Sequence, residues 1–291
     1  MIELKNNYMR PSGSGSTFRV DIDPPVNKTP NFLEECKQVA LEIESKKQGK
    51  IYLMYSGGVD SEFVLNVFLM LGIEVTPVII KLNPNYNTHD VTYAFNFCES
   101  KNLKPLIIDV DFDYFVKTGL IVDIAQQYKL ATYQIPSTLN ALKSLDGTIV
   151  MGSHSVPHIA KKESNSIWYV DEYEPIWCCL EYFRKNNLYG CPFFLAYTAE
   201  QYLAYMQSPI MTDLANNKIP GKLGSNSSKW RILNSLAPFD MEQRPKFTGF
   251  ENIEKSPIFQ HENLQIFKQF ERQWWGIHRE PFFEMLKRLE S

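Results

Sequence analysis

Residues 50–61 read Lys-Ile-Tyr-Leu-Met-Tyr-Ser-Gly-Gly-Val-Asp-Ser. The first six form a short, mostly apolar run, which is typical of a buried strand in a parallel sheet. The adjacent Gly57 and Gly58 permit a tight turn, and the stretch from Asp60 to Leu71 has the length of a helix. The segment therefore predicts a strand, a glycine turn and a helix in direct succession.

The same alternation continues along the chain. We expect strands at residues 50–55, 74–82, 105–110 and 148–151, and helices at about residues 29–47, 60–71, 87–101, 114–129 and 137–145. Strands alternating with helices of this length form a parallel sheet that is covered on both faces. The predicted fold class is α/β, a doubly wound, Rossmann-like parallel sheet over residues 32–160. Ligands of such sheets bind at the carboxyl ends of the strands.

The residues before this domain are expected to form a flexible N-terminal arm, 1–31. Residues 11–16 are rich in serine and glycine, and Pro24-Pro25 resists both a helix and a central strand. Thr29 is a candidate cap for the first helix, with Pro30 in its first turn.

The residues after the domain, 161–291, are less regular and rich in aromatic side chains. We expect a mostly helical region that binds substrate or forms an oligomer. Within it, Thr198 is a candidate helix cap, and a final helical stretch is expected over about residues 263–289, interrupted near Gly276 and Pro281.

Composition narrows the classes of function. The net charge is −3 and the isoelectric point is near 6.0, which does not favour tRNA as a partner, although a local basic patch would permit it. No run reaches the ~18 apolar residues of a membrane helix, and residues 1–31 lack a signal-peptide pattern. The five cysteines form no CxxC pair. We expect a reduced, cytoplasmic protein without a membrane partner.

The glycine turn has the chemistry of an anion site. Gly57 and Gly58 allow backbone N–H groups to approach an oxyanion, and the following helix directs its positive end into the same space. Ser56 and Ser61 add hydroxyl donors at either rim. Asp60 repels bare phosphate, so its expected role is either to cap the helix or to help place Mg²⁺. No Gly-x-x-x-x-Gly-Lys-Ser/Thr loop of the Walker type occurs.

Residues 56–61, Ser-Gly-Gly-Val-Asp-Ser, resemble the SGGxDS signature of the PP-loop ATP pyrophosphatases, N-type enzymes with an adenine nucleotide α-hydrolase-like fold. The resemblance covers residues 32–160. It implies binding of ATP and Mg²⁺ along residues 56–61, Val59 included. It also implies attack of a substrate oxygen on the α-phosphate and departure of pyrophosphate. Ammonia, an amine or a sulfur donor then displaces AMP. Asp60 and Ser61 are the expected catalytic residues, and Asp60 is the expected Mg²⁺ ligand.

The resemblance also implies nucleotide contacts elsewhere on the carboxyl edge of the sheet. Adenine is expected at Tyr55 and the backbone of Ile80–Leu82, whereas the side chains there fit ordinary sheet core. Asn140 is expected to contact the nucleotide or substrate; alternatively its segment is a plain loop in which Ser137 caps a helix. Gly152, after the fourth strand, is expected to allow close approach of the nucleotide.

Four polar residues beyond the fourth strand are further candidates. Lys161 could neutralise charge on the pyrophosphate and α-phosphate in the transition state, or Lys161 and Lys162 could be a solvated surface pair. His154 and His158 could act as proton shuttles or ligands, but no third metal ligand is evident nearby.

The substrate and the donor are left open by the sequence. Met1-Ile2 offers no cysteine nucleophile of an N-terminal glutaminase, so we expect ammonia or sulfur to be supplied separately. A small-molecule substrate is the leading expectation, and the C-terminal region could form a homodimer interface. The apolar surroundings of Cys178-Cys179 favour buried packing over sulfur chemistry.

Two other classes of function compete with adenylation. A sulfonucleotide reductase-like oxidoreductase shares the fold but needs a cysteine near the C-terminus, and none follows Cys191. A non-catalytic ATP-binding sensor or partner-binding protein would retain the loop without turnover.

Overall fold

The computed structural model describes residues 9–11, 17–20, 31–152, 158–161, 168–171, 174–215, 226–244, 251–270, 275–278 and 284. The strands are β1 (Met9–Pro11), β2 (Thr17–Val20), β3 (Lys50–Met54), β4 (Thr76–Asn83), β5 (Leu106–Asp111), β6 (Gly147–Met151), β7 (His158–Lys161), β8 (Trp168–Asp171), β9 (Gly190–Cys191) and β10 (Trp275–His278).

The helices are α1 (Phe32–Lys46), α2 (Val59–Met70), α3 (Thr88–Ser100), α4 (Phe112–Lys117), α5 (Leu120–Tyr128), α6 (Ile135–Leu142), α7 (Glu174–Lys185), α8 (Ala199–Met206), α9 (Pro209–Ala215), α10 (Asn226–Leu236), α11 (Glu251–Glu254) and α12 (Glu262–Gln265). Short 3₁₀ turns occur at Phe194–Ala196, Pro257–Gln260 and Ile266–Gln269. Among the described residues, no helix is both long and apolar enough to cross a membrane.

The main sheet has five parallel strands in the order β5-β4-β3-β6-β9. In the central strand β3, Ile51 and Leu53 belong to the core on one face, with α1, α2 and α3, whereas Met54 belongs to the core on the other face, with α4 to α7. Successive side chains of a strand point to opposite faces, so burial on both faces explains the nearly continuous apolar run. The predicted α/β, Rossmann-like fold is confirmed.

The strand order reverses between β3 and β6. From β3 the chain proceeds to β4 and β5 on one side, and then returns across the sheet to place β6 on the other side of β3. The first crossovers use α2 and α3 on one face, and the return uses α4, α5 and α6 on the other. Crevices at such reversals, at the carboxyl ends of the strands, are the usual ligand sites of open α/β sheets. The glycine turn after β3 lies at this point.

The sheet is not confined to the predicted 32–160 segment, because its last strand is β9. Gly190 makes this close pairing possible, since a Cβ there would overlap the backbone of Ile149. Residues of α8 and α10 join the same core as α1 and α2. The C-terminal region therefore packs directly on the helix that follows the glycine turn.

One prediction about the chain ends is wrong: the expected final helix over 263–289 contains β10, which pairs in parallel with β2. The flexible arm over 1–31 stays a prediction; its described residues form β1 and β2, which pair antiparallel. The pairing between Thr17–Val20 and Trp275–His278 joins segments that are far apart in sequence, so the hydrophobic periodicity of either segment alone cannot predict it.

Some helix boundaries also differ from the predictions. The cap of α1 is Asn31, whose side chain accepts a hydrogen bond from Glu34 N; Thr29 lies outside the described residues. The expected helix 114–129 is two helices, because Gly119 adopts φ +78° between α4 and α5. The capping role of Thr198 is confirmed: it forms a capping box with Gln201.

Candidate functional site

The turn between β3 and α2 requires glycine at its centre. Gly57 has φ +85°, a left-handed conformation that costs other residues about 1–2 kcal/mol. A Cβ at Gly57 would also overlap the carbonyl oxygen of Asp90 and approach Ala94 N to 3.0 Å. The start of α3 is therefore packed against the turn. Gly58 is the N-cap of α2, with extended backbone angles.

The two serines of the turn bond to each other. Ser56 N donates to Ser61 Oγ at 3.3 Å, and the two hydroxyl oxygens are 3.2 Å apart. Ser61 Oγ also donates to Gly58 O at 3.0 Å. Ser56 is exposed at the rim, as expected, whereas Ser61 is buried and its hydroxyl maintains the shape of the turn. The N–H groups of Val59 to Ser61 lie in the first turn of α2, where a helix provides no internal acceptor.

Asp60 does not cap α2, because Gly58 occupies the N-cap and no side chain bonds there. Its carboxylate instead forms an ion pair with Lys229 on α10, with Nζ 3.2 Å from Oδ2; the side chains are 17% and 16% exposed. The other oxygen, Oδ1, is buried and has no hydrogen-bond partner within the described parts of the chain. Of the two expected roles, capping is wrong and metal placement stays a prediction.

A second ion pair lies two residues further along α2. Glu62 is buried and pairs with Arg244. Tyr55 also donates a hydrogen bond to Glu62, at 3.2 Å. Arg244 Nε donates to Gly57 O at 3.2 Å, and its guanidinium lies 4.4 Å from the centre of the Tyr93 ring. Burial raises the pKa of Glu62, and the nearby Arg244 opposes that rise.

Asp90, in the first turn of α3, has a perturbed carboxyl beside the turn. Its half-buried position raises its pKa to about 7; Glu251 adds to the rise and Arg244 opposes it. A carboxyl that titrates near neutral pH beside the glycine turn is a candidate proton acceptor.

The backbone groups expected to meet adenine are already bonded. Val78 O accepts a hydrogen bond from Tyr55 N at 2.8 Å, so the backbone groups of Val78 point towards β3. Every second residue of a strand points its backbone groups to the same side. The backbone groups of Ile80 and Leu82 therefore point to this side as well, but beyond the end of β3. There Asn87 spans both residues: its Nδ2 donates to Ile80 O and its Oδ1 accepts from Leu82 N, each at 2.8 Å. Asn87 would have to move before adenine could make these contacts.

The Tyr55 side chain, the other predicted base contact, is fully buried in the core between the sheet and helices α1, α2 and α3. Its ring packs edge-on against the ring of Phe97, with 5.7 Å between the ring centres. This side chain is a core residue whose hydroxyl serves Glu62. Only its backbone lies at the strand end.

Two predicted contacts take different places in the structure. Gly152 is buried, and a Cβ there would lie 3.0 Å from Ser61 Cα, so this glycine permits packing of the chain after β6 against α2. Asn140 lies on α6, which packs on the opposite face of the sheet from α2. Ser137 is not a cap: α6 begins at Ile135, and Ser137 Oγ donates to Gln134 O.

The candidates after β6 are placed only in part. His158 and Lys161 begin and end β7, which pairs antiparallel with β8; their side chains lie outside the described part of the structure, as do His154 and Lys162 altogether. The proposed role of Lys161 stays a prediction.

The cysteines are buried, all five of them. Burial raises the pKa of the Cys98 thiol to about 11 and that of Cys179 to about 12. Reactive thiols need a lowered pKa and some exposure. Buried packing of Cys178-Cys179 is confirmed.

The donor atoms near the turn fit Mg²⁺ only in part. Within the described residues, no group of three or more His, Cys, Asp or Glu side chains could hold a metal ion. Mg²⁺ commonly uses only one or two carboxylates together with substrate phosphates. Asp60 fits that arrangement, because its Oδ1 is buried and has no hydrogen-bond partner among the residues that the structure describes.

Four residues of the site, Lys229, Arg244, Glu62 and Asp90, are not predicted by the sequence. The two cations come from a stretch without clear periodicity, and Glu62 follows the SGGxDS motif directly. The only available signal is the pair of acids in the first turn of α2, Asp60 and Glu62. If these side chains are buried, each needs a cation from another part of the chain. No protein-family model matches this chain, and no curated protein sequence matches it.

Proposed function

We propose that this protein is an ATP pyrophosphatase of the PP-loop type, which binds Mg²⁺–ATP at residues 56–61 and transfers AMP to a substrate oxygen. The observation that carries the proposal is the position of the Ser-Gly-Gly-Val-Asp-Ser turn. It connects a central parallel strand to a helix where the strand order reverses. That position combines the ligand crevice of the fold with the anion-binding end of a helix.

The charges around the turn suit a polyphosphate that carries a metal ion. The N-terminal end of α2 attracts anions, and Lys229 and Arg244 offset the negative charges of Asp60 and Glu62 in its first turn. Asp60 would hold Mg²⁺ together with phosphate oxygens, and the ion would supply charge neutralisation on the departing pyrophosphate. Gly57 and Gly58 leave room for backbone N–H groups to approach those oxygens.

The acceptor is proposed to be a small molecule with a carboxylate, amide or similar oxygen. Ammonia, an amine or a sulfur donor would be supplied separately. Asp90 is the described group best suited to take a proton from an attacking nucleophile, because its pKa is about 7 and its helix abuts Gly57. The net charge of −3 gives tRNA less support as the acceptor.

Thiol-based reduction has less support than adenylation. All five cysteines are buried, and burial raises the pKa values of Cys36, Cys98, Cys179 and Cys191. A nucleotide sensor would bind ATP at the same site but form no products, so the test must follow product formation and not binding alone.

The test follows α-labelled ATP with Mg²⁺ and a pooled extract of small metabolites. AMP and pyrophosphate should form with the wild type, and both should disappear in Asp60→Ala. Asp123→Ala is the matched control, since Asp123 is an exposed acid in the first turn of α5; it should keep full turnover. ADP and phosphate as products would overturn the proposal, and tight binding without turnover would favour the sensor.

A further inference from the structure

The ion pair between Lys229 and Asp60 joins two parts of the chain that are 169 residues apart. Lys229 lies on α10, which packs against α2, and its ammonium contacts Asp60 in the first turn of α2. Both side chains are largely withdrawn from water, at 17% and 16% exposure. The pair therefore lies within the candidate polyphosphate site.

The pair satisfies only half of the carboxylate. Lys229 bonds to Oδ2, whereas Oδ1 of Asp60 is buried without a hydrogen-bond partner in the described residues. Burying an unpaired carboxylate oxygen is unfavourable, so such an atom needs an explanation, and binding of an ion is one that suits a carboxylate. Tyr205 lies close by: burial, with the Asp60 charge second, raises the pKa of its phenol. Within the described residues, the hydroxyl of Tyr205 makes no hydrogen bond to Oδ1.

The pair also conflicts with anion binding as it stands. A carboxylate in the first turn of α2 repels phosphate. It also weakens the attraction between Lys229 and an anionic ligand, because it partly cancels the field of the ammonium. A divalent cation on Asp60 would remove both obstacles, since it neutralises the carboxylate and releases the ammonium. A lysine ammonium is a compact charge on a flexible four-carbon stem, which allows it to change partners over a short distance.

We propose that Lys229 is an exchangeable counter-ion. It holds Asp60 in the free protein, and it moves to the polyphosphate when a divalent cation takes its place on Asp60. This proposal rests on the proposed function, because the ligand class, a pyrophosphate or nucleoside triphosphate, is taken from it. Metal and polyphosphate then bind cooperatively, because each one releases the partner of the other.

Opposite changes in two affinities distinguish this exchange from a purely structural ion pair. Lys229→Met removes the competitor for Asp60, so Mn²⁺ alone should bind about tenfold or more tightly. The same variant removes a cation from the anion site, so pyrophosphate with saturating Mg²⁺ should bind about tenfold or more weakly. A pair that only fastens α10 to α2 would lower the melting temperature and leave both affinities unchanged.

The experiment measures Mn²⁺ binding by electron paramagnetic resonance and pyrophosphate binding by calorimetry. Arg231→Met is the matched control, because Arg231 is an exposed cation on the same helix; it should leave both affinities at the wild-type value. Unchanged or weaker Mn²⁺ binding in Lys229→Met would overturn the proposal, as would unchanged pyrophosphate binding.

A second variant tests the exchange without removing Lys229. In metal-free buffer, Asp60→Asn should bind pyrophosphate more tightly than the wild type, because the lysine is released. The double variant Asp60→Asn/Lys229→Met should lose that gain; if it keeps the gain, Lys229 does not contact the anion and the proposal fails. Wild-type ATP products test the enzyme separately: ADP formation with intact exchange would overturn the proposed function alone.

Discussion

The two ion pairs on the first turn of α2 differ in burial and in the number of bonds that the carboxylate accepts. Glu62 is 3% exposed and accepts bonds from both Arg244 and Tyr55, each at Oε2. Asp60 bonds to Lys229 alone and keeps one oxygen without a partner in the described residues. We infer that the more deeply buried Arg244 pair stabilises the fold of the turn, whereas the Lys229 pair is the one that can open when a ligand binds.

The largest effect is expected for Arg244→Met. Removing one member of a buried ion pair leaves an uncompensated charge and costs about 3–5 kcal/mol. Lys229→Met should cost less, about 1–3 kcal/mol, because the Asp60 side chain is 16% exposed and keeps more access to water than that of Glu62, which is 4% exposed. Urea unfolding of both variants measures the difference. Equal losses of unfolding free energy would contradict the distinction between the two pairs.

The next largest effect is a pH dependence of the unfolding free energy, caused by Asp90. The charge of Arg244 acts on this carboxyl as well as on Glu62. The pKa of Asp90 rises from 3.8 to about 7 on folding, so the folded state binds this proton more tightly. The resulting stability is fully present below about pH 4 and is lost as pH rises through about 7.

Asp90→Asn should therefore gain about 2–4 kcal/mol relative to the wild type between pH 4 and pH 8, at about 1.4 kcal/mol per pKa unit. Unfolding free energies across that range measure the gain, with Asp123→Asn as an exposed control. A constant difference between Asp90→Asn and the wild type would show that Asp90 titrates normally.

The smallest of the three effects compares Gly57→Ala with Gly72→Ala. Both glycines have positive φ, +85° and +65°, so both variants should lose about 1–2 kcal/mol. A methyl group at Gly72 would have no other atom within 4 Å, whereas a methyl group at Gly57 would overlap the backbone of Asp90. Gly57→Ala should lose at least about 1 kcal/mol more and should lose pyrophosphate binding. Urea unfolding and calorimetry measure the two losses, and equal stability with intact binding would mean that the turn tolerates a wider shape.

The parallel sheet could be predicted from the sequence because its signals are local. An apolar run such as residues 50–55 reflects burial on both faces, and Gly57-Gly58 marks the turn between strand and helix. Strand β9 could not be found this way, since it has only two residues, Gly190–Cys191, and depends on its pairing with β6. The pattern around Gly119 predicts an unbroken helix, although the positive φ of this glycine separates two helices.

The candidate site could be predicted only where the chain is contiguous. Residues 56–61 lie together in sequence and in space. Lys229 and Arg244 reach them from 169 and 187 residues away, within a stretch that shows no hydrophobic periodicity. Asn87 could not be predicted either, because its role depends on where β3 ends relative to β4. Each of these contacts is a product of tertiary packing.

The most direct measurement is paramagnetic broadening of backbone amide signals by Mn²⁺–ATP. The ion proposed to bind at Asp60 should broaden the amides of residues 56–61 first, and Asp60→Ala should abolish that broadening. Full signal intensity at residues 56–61, with broadening elsewhere or none, would contradict the assignment of the glycine turn as the nucleotide site.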